Sequence, residues 1–482
     1  MTIIVTILIY FSLLMVISFL TSRNSKTNAA FFKGENKSPW YIVSFGMIGA
    51  SISGVTFVSV PGMVRSFDMT YMQLVIGFFF GYLIVAHLLL PLYYRLKLTS
   101  IYTYLGKRLG ERSYKTGSLF FLLSRLLGTS AKLYLVCLIL YTYIFQELQV
   151  PFWVIAVGTM VLVWIYTHQS GIKTIVWTDA LQTLCLVLAL IFILIFVIHY
   201  LELDFVGVVE TVKNHEHGRM FVFDDWNSSQ NFFKQFFSGV FIVIVMTGLD
   251  QDMMQKNLSC RNLKEAQKNM YYYGFSFIPL NLLFLSLGVL LLVFASQMQI
   301  ELPPLGDDIL PMLATQGYLG SSVEIFFALG VIAAAFSNSD SALTSMTTSF
   351  CIDILNIEKM SEEEAKKKRY VVHILFSVLL ALFIILFKHI NNKSVIDAIY
   401  IIASYTYGPL LGMFSFGLFT KRTTTDRWVP YIAIFSPILC YVIEYMVEAY
   451  NGYKFGYELL ILNGLLTFVG LYLFSAKGNA KV

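Results

Sequence analysis

The chain has 482 residues, 57% of them hydrophobic and only 13% charged, with a net charge of +5. A soluble domain carries about 25% charged residues, and apolar runs of about 20 residues recur throughout, so this composition excludes a soluble domain and marks a polytopic membrane protein. The slight basic excess lies in short loops between the apolar runs and offers no nucleic-acid-binding face.

Thirteen spans are predicted, numbered here in chain order: residues 2–20, 39–64, 70–94, 116–145, 151–167, 173–199, 233–254, 270–296, 321–349, 370–388, 395–419, 428–448 and 457–475. The first lacks a basic leader and a small-residue cleavage site, so it reads as a retained span and not a signal peptide. Span two is interrupted by Gly49, Ala50, Ser51, Ile52, Ser53 and Gly54. A broken helix at membrane depth is tolerated where freed carbonyls line a cavity or meet an ion. The same residues would also serve as a close-packing face.

Span four carries Arg125 and Lys132, seven residues apart on one face. Arg125 reads either as an anchor for a carboxylated solute or as the structural partner of Asp179 or Asp340. Lys132 reads as a snorkelling side chain. Asp179 lies near the start of span six and is followed by a long apolar run. The longest loop, about 200–232, separates spans six and seven. Asp250, Gln251 and Gln255 read as a gate or hydrogen-bond network at the end of span seven, and Asp252 equally well as a solvated helix end. Lys256 counts as a loop charge.

Span nine holds the densest polar cluster. Ala334, Ser337, Asn338 and Ser341 are spaced i, i+3, i+4 and i+7 and share one helical face, with Asp340 beside it. Lone serines bond back to the preceding turn, but a carboxylate among hydroxyls at bilayer depth is costly and points to use. Such oxygens suit a hard monovalent cation. The stretch SEEEAKKKRY before span ten reads as a short, solvated charged helix.

With the N-terminus outside, 25 lysines and arginines fall in the cytoplasmic loops and 6 in the outer ones. The positive-inside rule therefore places the N-terminus outside and the C-terminus in the cytoplasm. The five cysteines are dispersed without CxxC or metal-binding spacing, so free thiols are expected. The seven histidines lie mostly at span ends or in loops. No HExxH, GxSxG or phosphate loop is present, and no enzyme is expected.

Six strings in order, SISGVTFVSVPG, TSIYTYLGKRLG, WTDALQ, GLDQDMMQK, AAFSNSDSAL and GPLLGMFSFGLFTKR, together resemble the sodium/solute symporter family. The resemblance implies an all-α membrane fold of the leucine-transporter type, built as a 5+5 inverted repeat in a single transporter domain. Residues 1–38 would be a peripheral first helix and linker, 39–199 the first repeat, 233–420 the second, and 421–482 two peripheral helices. It implies a sodium site from the carbonyls of Gly49, Ile52 and Ala334 and the side chains of Ser337 and Asn338. The family has Ser or Thr where Asn338 stands, which puts ion affinity and choice in doubt. Asp179, Asp340 and Ser341 would form a second ion site, with a proton on either carboxylate as the competing reading. Ser53, Thr56, Gln73 and Arg125 would hold the solute. The implied function is sodium-coupled uptake of a small organic solute by alternating access at the plasma (inner) membrane. An anionic solute such as sialic acid comes first. A sugar or proline-like symporter and a transporter-fold sensor are the alternatives. No obligate protein partner is implied.

Overall fold

The computed structural model describes residues 2–22, 28–145, 148–168, 171–390 and 395–477 and is nearly all helical. Arg23, Lys26, Lys393 and Lys481 of the loop charge count lie outside the described residues. In a bilayer each backbone polar group must be satisfied within the chain, so every apolar run closes its own hydrogen bonds as a helix. Among the described residues, eight helices are long and apolar enough to cross a membrane. Two bent helix pairs and three shorter apolar helices account for the remaining predicted spans.

Span two consists of Trp40–Ser51 and Gly54–Phe67, bent by 56°. Ile52 and Ser53 leave helical geometry at the join, with Ser53 fully extended (ψ 171°). The Ser53 amide turns back to the Ser51 carbonyl at 3.0 Å. Among the described residues, the carbonyls of Gly49 and Ile52 therefore receive no hydrogen bond from the chain. Gly49 is also a packing position, because a Cβ there would lie 2.0 Å from Thr183 Oγ1 on span six. The segment is thus both a break in the helix and a close-packing face.

Span seven departs from expectation. It runs Phe232–Gly248, bends by 64°, and continues as Gln251–Leu258. The Leu249 amide bonds back five residues to Ile244, and Asp250 Oδ1 caps the new helix by accepting from the amides of Asp252 (2.9 Å) and Met253 (3.3 Å). The segment expected at the cytoplasmic surface is instead buried, Lys256 included. Each of the two expected five-helix repeats therefore begins with a broken helix.

Span six packs along span nine and the first half of span two, span three along span seven, and span eleven along spans four and thirteen. These contacts bring both breaks, span four and span nine around one interior. Two small elements were not foreseen. The 200–232 loop contains the helix Phe205–Asn214, capped by Asp204 Oδ1 on the Gly207 amide at 2.7 Å. A two-residue antiparallel pairing joins Thr423–Thr424 to Ser475–Ala476. The acidic and basic residues before span ten are the first turns of one helix, Glu362–Ile390.

Candidate functional site

Asp179 is fully buried at the foot of the span-nine cluster. Its Oδ1 accepts from the Ser337 hydroxyl at 2.8 Å and its Oδ2 from Ser341 at 3.3 Å. The spacing i, i+4 on span nine aims both hydroxyls at one carboxylate. Lys256 Nζ, delivered by the helix after the break in span seven, stands 2.8 Å from Asp179 Oδ2 and 3.8 Å from Asp252 Oδ1. Asp252 in turn pairs with Arg125, whose guanidinium also lies 3.5 Å from Asp250. The Tyr407 hydroxyl donates to Asp250. A continuous chain of charge thus runs from span nine through spans six, seven and four to span eleven.

Asp340 faces away from this chain. Its Oδ2 accepts from the Tyr166 hydroxyl at 2.9 Å and its Oδ1 from the Ser341 amide at 2.6 Å. Asn338 donates its amide to the Ala334 carbonyl at 3.2 Å, leaving Oδ1 to accept from Lys132 Nζ at 3.4 Å. Around the two breaks lie four carboxylates, Asp179, Asp250, Asp252 and Asp340, and three basic groups, Arg125, Lys132 and Lys256. The buried carboxylates outnumber the basic groups by one, and Asp340 has no basic partner in ion-pair reach among the described residues.

A cavity of about 90 Å³ opens beside the break in span two. Ser51, Ser53, Thr56 and Thr247 supply hydroxyls, Arg125 and Lys132 supply positive charge, and Tyr71, Tyr82, Phe78, Tyr273, Phe277 and Tyr400 form aromatic walls. The Ser51 hydroxyl meets Tyr273, which accepts from Tyr82 at 2.9 Å. Below the cavity, Gln251 Oε1 accepts from the Ile101 amide (3.0 Å), and its Nε2 donates to the Thr99 carbonyl (2.9 Å). Gln255 Nε2 bonds the Phe32 carbonyl (2.8 Å) and Thr348 Oγ1 (3.2 Å). These bonds tie the second half of span seven to residues 99–101, to Phe32 and to the end of span nine.

A profile of the sodium:solute symporter family matches residues 31–426. The chain belongs to the sodium:solute symporter family. It is a multi-pass membrane transporter and not an enzyme, and sodium is its coupling ion. The symporter is 25% identical over 436 residues to the sodium/sialic acid symporter NanT of Aliivibrio fischeri, covering 86% of this chain and 83% of that protein. It is 25% identical over 443 residues to SiaT of Proteus mirabilis, covering 87% and 85%. The substrate-bound outward-open structure of a Na+-coupled sialic acid symporter superposes with a TM-score of 0.83 at 21% identity, covering 100% of this chain and 99% of that one. Mhp1, a nucleobase-cation-symport-1 family transporter, superposes at 0.59 and 15% identity, covering 94% and 95%. The fold is therefore that of the leucine-transporter-type symporters.

In the symporter, Ser337 and Ser341 share one face as their spacing implied and meet Asp179 as the family resemblance implied, and Ser53, Thr56 and Arg125 all line the cavity. Four readings change. Arg125 pairs with Asp250 and Asp252, not with Asp179 or Asp340, so Asp252 is no solvated helix end. Lys132 turns inward to Asn338 and the cavity and does not snorkel. Gln73 is held by the outer loop, donating to the Gln230 carbonyl (2.8 Å) and accepting from the Val222 amide (2.9 Å), and does not line the cavity. Lys256 and Tyr166 were missed altogether. For Lys256 the available signal was Gly248 followed by Asp250, a helix stop and a new N-cap. For Tyr166, at the end of a plain apolar run, there was none.

Proposed function

We propose that this symporter imports an anionic solute of the sialic-acid class, driven by sodium, with its N-terminus outside the plasma (inner) membrane. The carrying observation is that, among the described residues, two carbonyls at a helix break, Gly49 and Ile52, receive no hydrogen bond. Span nine beside the break presents Ala334, Ser337 and Asn338. Sodium joins these five positions and ties span two to span nine. The names of NanT and SiaT and the mixed hydroxyl, cationic and aromatic lining of the cavity support the choice of solute.

Charge balance supports a second positive charge. Counted with every group ionised, the four carboxylates exceed the three basic groups by one, and an anionic solute raises the difference to two. Buried charge without a partner is expensive in a membrane. Sodium at the break supplies one. The second ion site, Asp179, Asp340 and Ser341, takes the other as sodium or as a proton on Asp340. Since Lys256 already meets Asp179, Asp340 carries most of that role.

A neutral solute is the rival reading, because Arg125 is already matched by two carboxylates. A thermal-shift screen separates them. N-acetylneuraminate and sodium together should stabilise the purified chain by more than their separate effects sum to. Synergy with proline or glucose and none with N-acetylneuraminate would reject the anionic solute.

A further inference from the structure

Three basic side chains, Arg125 and Lys256 buried and Lys132 partly so, stand around the cavity, and two are spoken for. Arg125 lies between Asp250 and Asp252, and Lys256 between Asp179 and Asp252. Lys132 has no carboxylate in ion-pair reach among the described residues. Its ammonium instead reaches Asn338 Oδ1 at 3.4 Å, the long end of a hydrogen bond. That oxygen is the atom Asn338 would offer to sodium, since its Nδ2 is spent on the Ala334 carbonyl at 3.2 Å. Lys132 also lines the cavity beside Ser53 and Thr56. One cation therefore touches both the solute space and an oxygen of the sodium site.

We propose that Lys132 is the specificity-determining cation of this symporter, handed from Asn338 Oδ1 to the anionic group of the solute so that the freed oxygen can take sodium. The proposal rests on the sodium site and anionic solute assigned above. Without solute, the ammonium competes with sodium for one oxygen and repels it. An anion in the cavity draws the ammonium away and removes both penalties. Sodium then favours the same displaced lysine, so each ligand raises the other's affinity, as linkage requires. Arg125 positions the helix after the break in span seven and leaves solute charge to Lys132. The flexible four-carbon stem of a lysine permits such a swing, which the fixed fork of Arg125 between two carboxylates does not.

The test is sodium-dependent thermal stabilisation of the purified full chain, with choline replacing sodium at constant ionic strength. Lys132→Gln should lower the half-saturating sodium concentration by about fivefold or more without solute. On an Asn338→Ala background the same substitution should have little effect, which separates competition at Oδ1 from the mere removal of a charge. N-acetylneuraminate should lower the sodium midpoint of the unmodified chain and leave that of Lys132→Gln unmoved. An equal shift in both backgrounds, or an unchanged midpoint in Lys132→Gln, overturns the proposal while leaving the sodium site intact. An N-acetylneuraminate effect that survives in Lys132→Gln overturns it too, as does no effect of this solute on the unmodified chain. No sodium-dependent stabilisation of the unmodified chain overturns the functional reading and this proposal with it.

Discussion

Asp179 and Lys256 show what single residues had to solve. A carboxylate or ammonium in the membrane interior persists only when its partners are buried with it. Asp179 was legible in the sequence because a carboxylate stands out in an apolar run, and Ser337 and Ser341 because their spacing gives one face. Lys256 was not legible, because a lysine just past an apolar run looks like any loop cation until the chain is seen to turn back inward. Removing one member of a buried pair leaves the other uncompensated, at about 3–5 kcal/mol. Lys256→Met should therefore destabilise the chain on that scale in thermal or denaturant unfolding. Lys256→Met combined with Asp179→Asn should cost clearly less than Lys256→Met alone. A double variant no more stable than the single one would mean that the 2.8 Å pair is incidental to stability.

At the scale of elements, the two broken spans organise the site. The break in span two was legible from its run of small and polar residues, which weakens a helix wherever it stands. The break in span seven had only Gly248 and the Asp250 cap to announce it: its apolar residues run on to the bend, and tertiary contacts hold the second half inside. Gln251 and Gln255 make those contacts to backbone groups far away in sequence, which no local pattern announces. Span two also depends on close approach to span six at Gly49. A methyl there would stand 2.9 Å from Thr183 Cβ and 3.0 Å from its Cα, beyond what a rotamer change relieves. Gly49→Ala should cost about 1–3 kcal/mol through overpacking and weaken sodium binding as the break shifts. Thr183→Gly on that background should recover part of both, read by unfolding and by sodium titration. If Gly49→Ala leaves sodium binding unchanged, the carbonyl at this position is not a ligand.

Over the whole molecule, the number and order of spans were legible because each apolar run must satisfy its backbone alone. The pairing of those spans was not, since lipid-facing and protein-facing surfaces are both apolar. Family strings closed that gap, placing six segments in an order that the fold then brought around one interior. That arrangement puts the proposed ion and solute sites side by side where two helices are broken, so opening to either face would expose both together. The inside-negative potential adds about 2.3 kcal/mol per 100 mV for each net positive charge carried inward. With two cations per anion, uptake should move one net charge per cycle. The most direct measurement is N-acetylneuraminate uptake into proteoliposomes under an imposed inward sodium gradient, for the unmodified chain and for Ser337→Ala. The account predicts accumulation above equilibrium only with the gradient present, and a higher sodium requirement for half-maximal uptake in Ser337→Ala. Uptake indifferent to the sodium gradient, or an unchanged sodium requirement in Ser337→Ala, would contradict it.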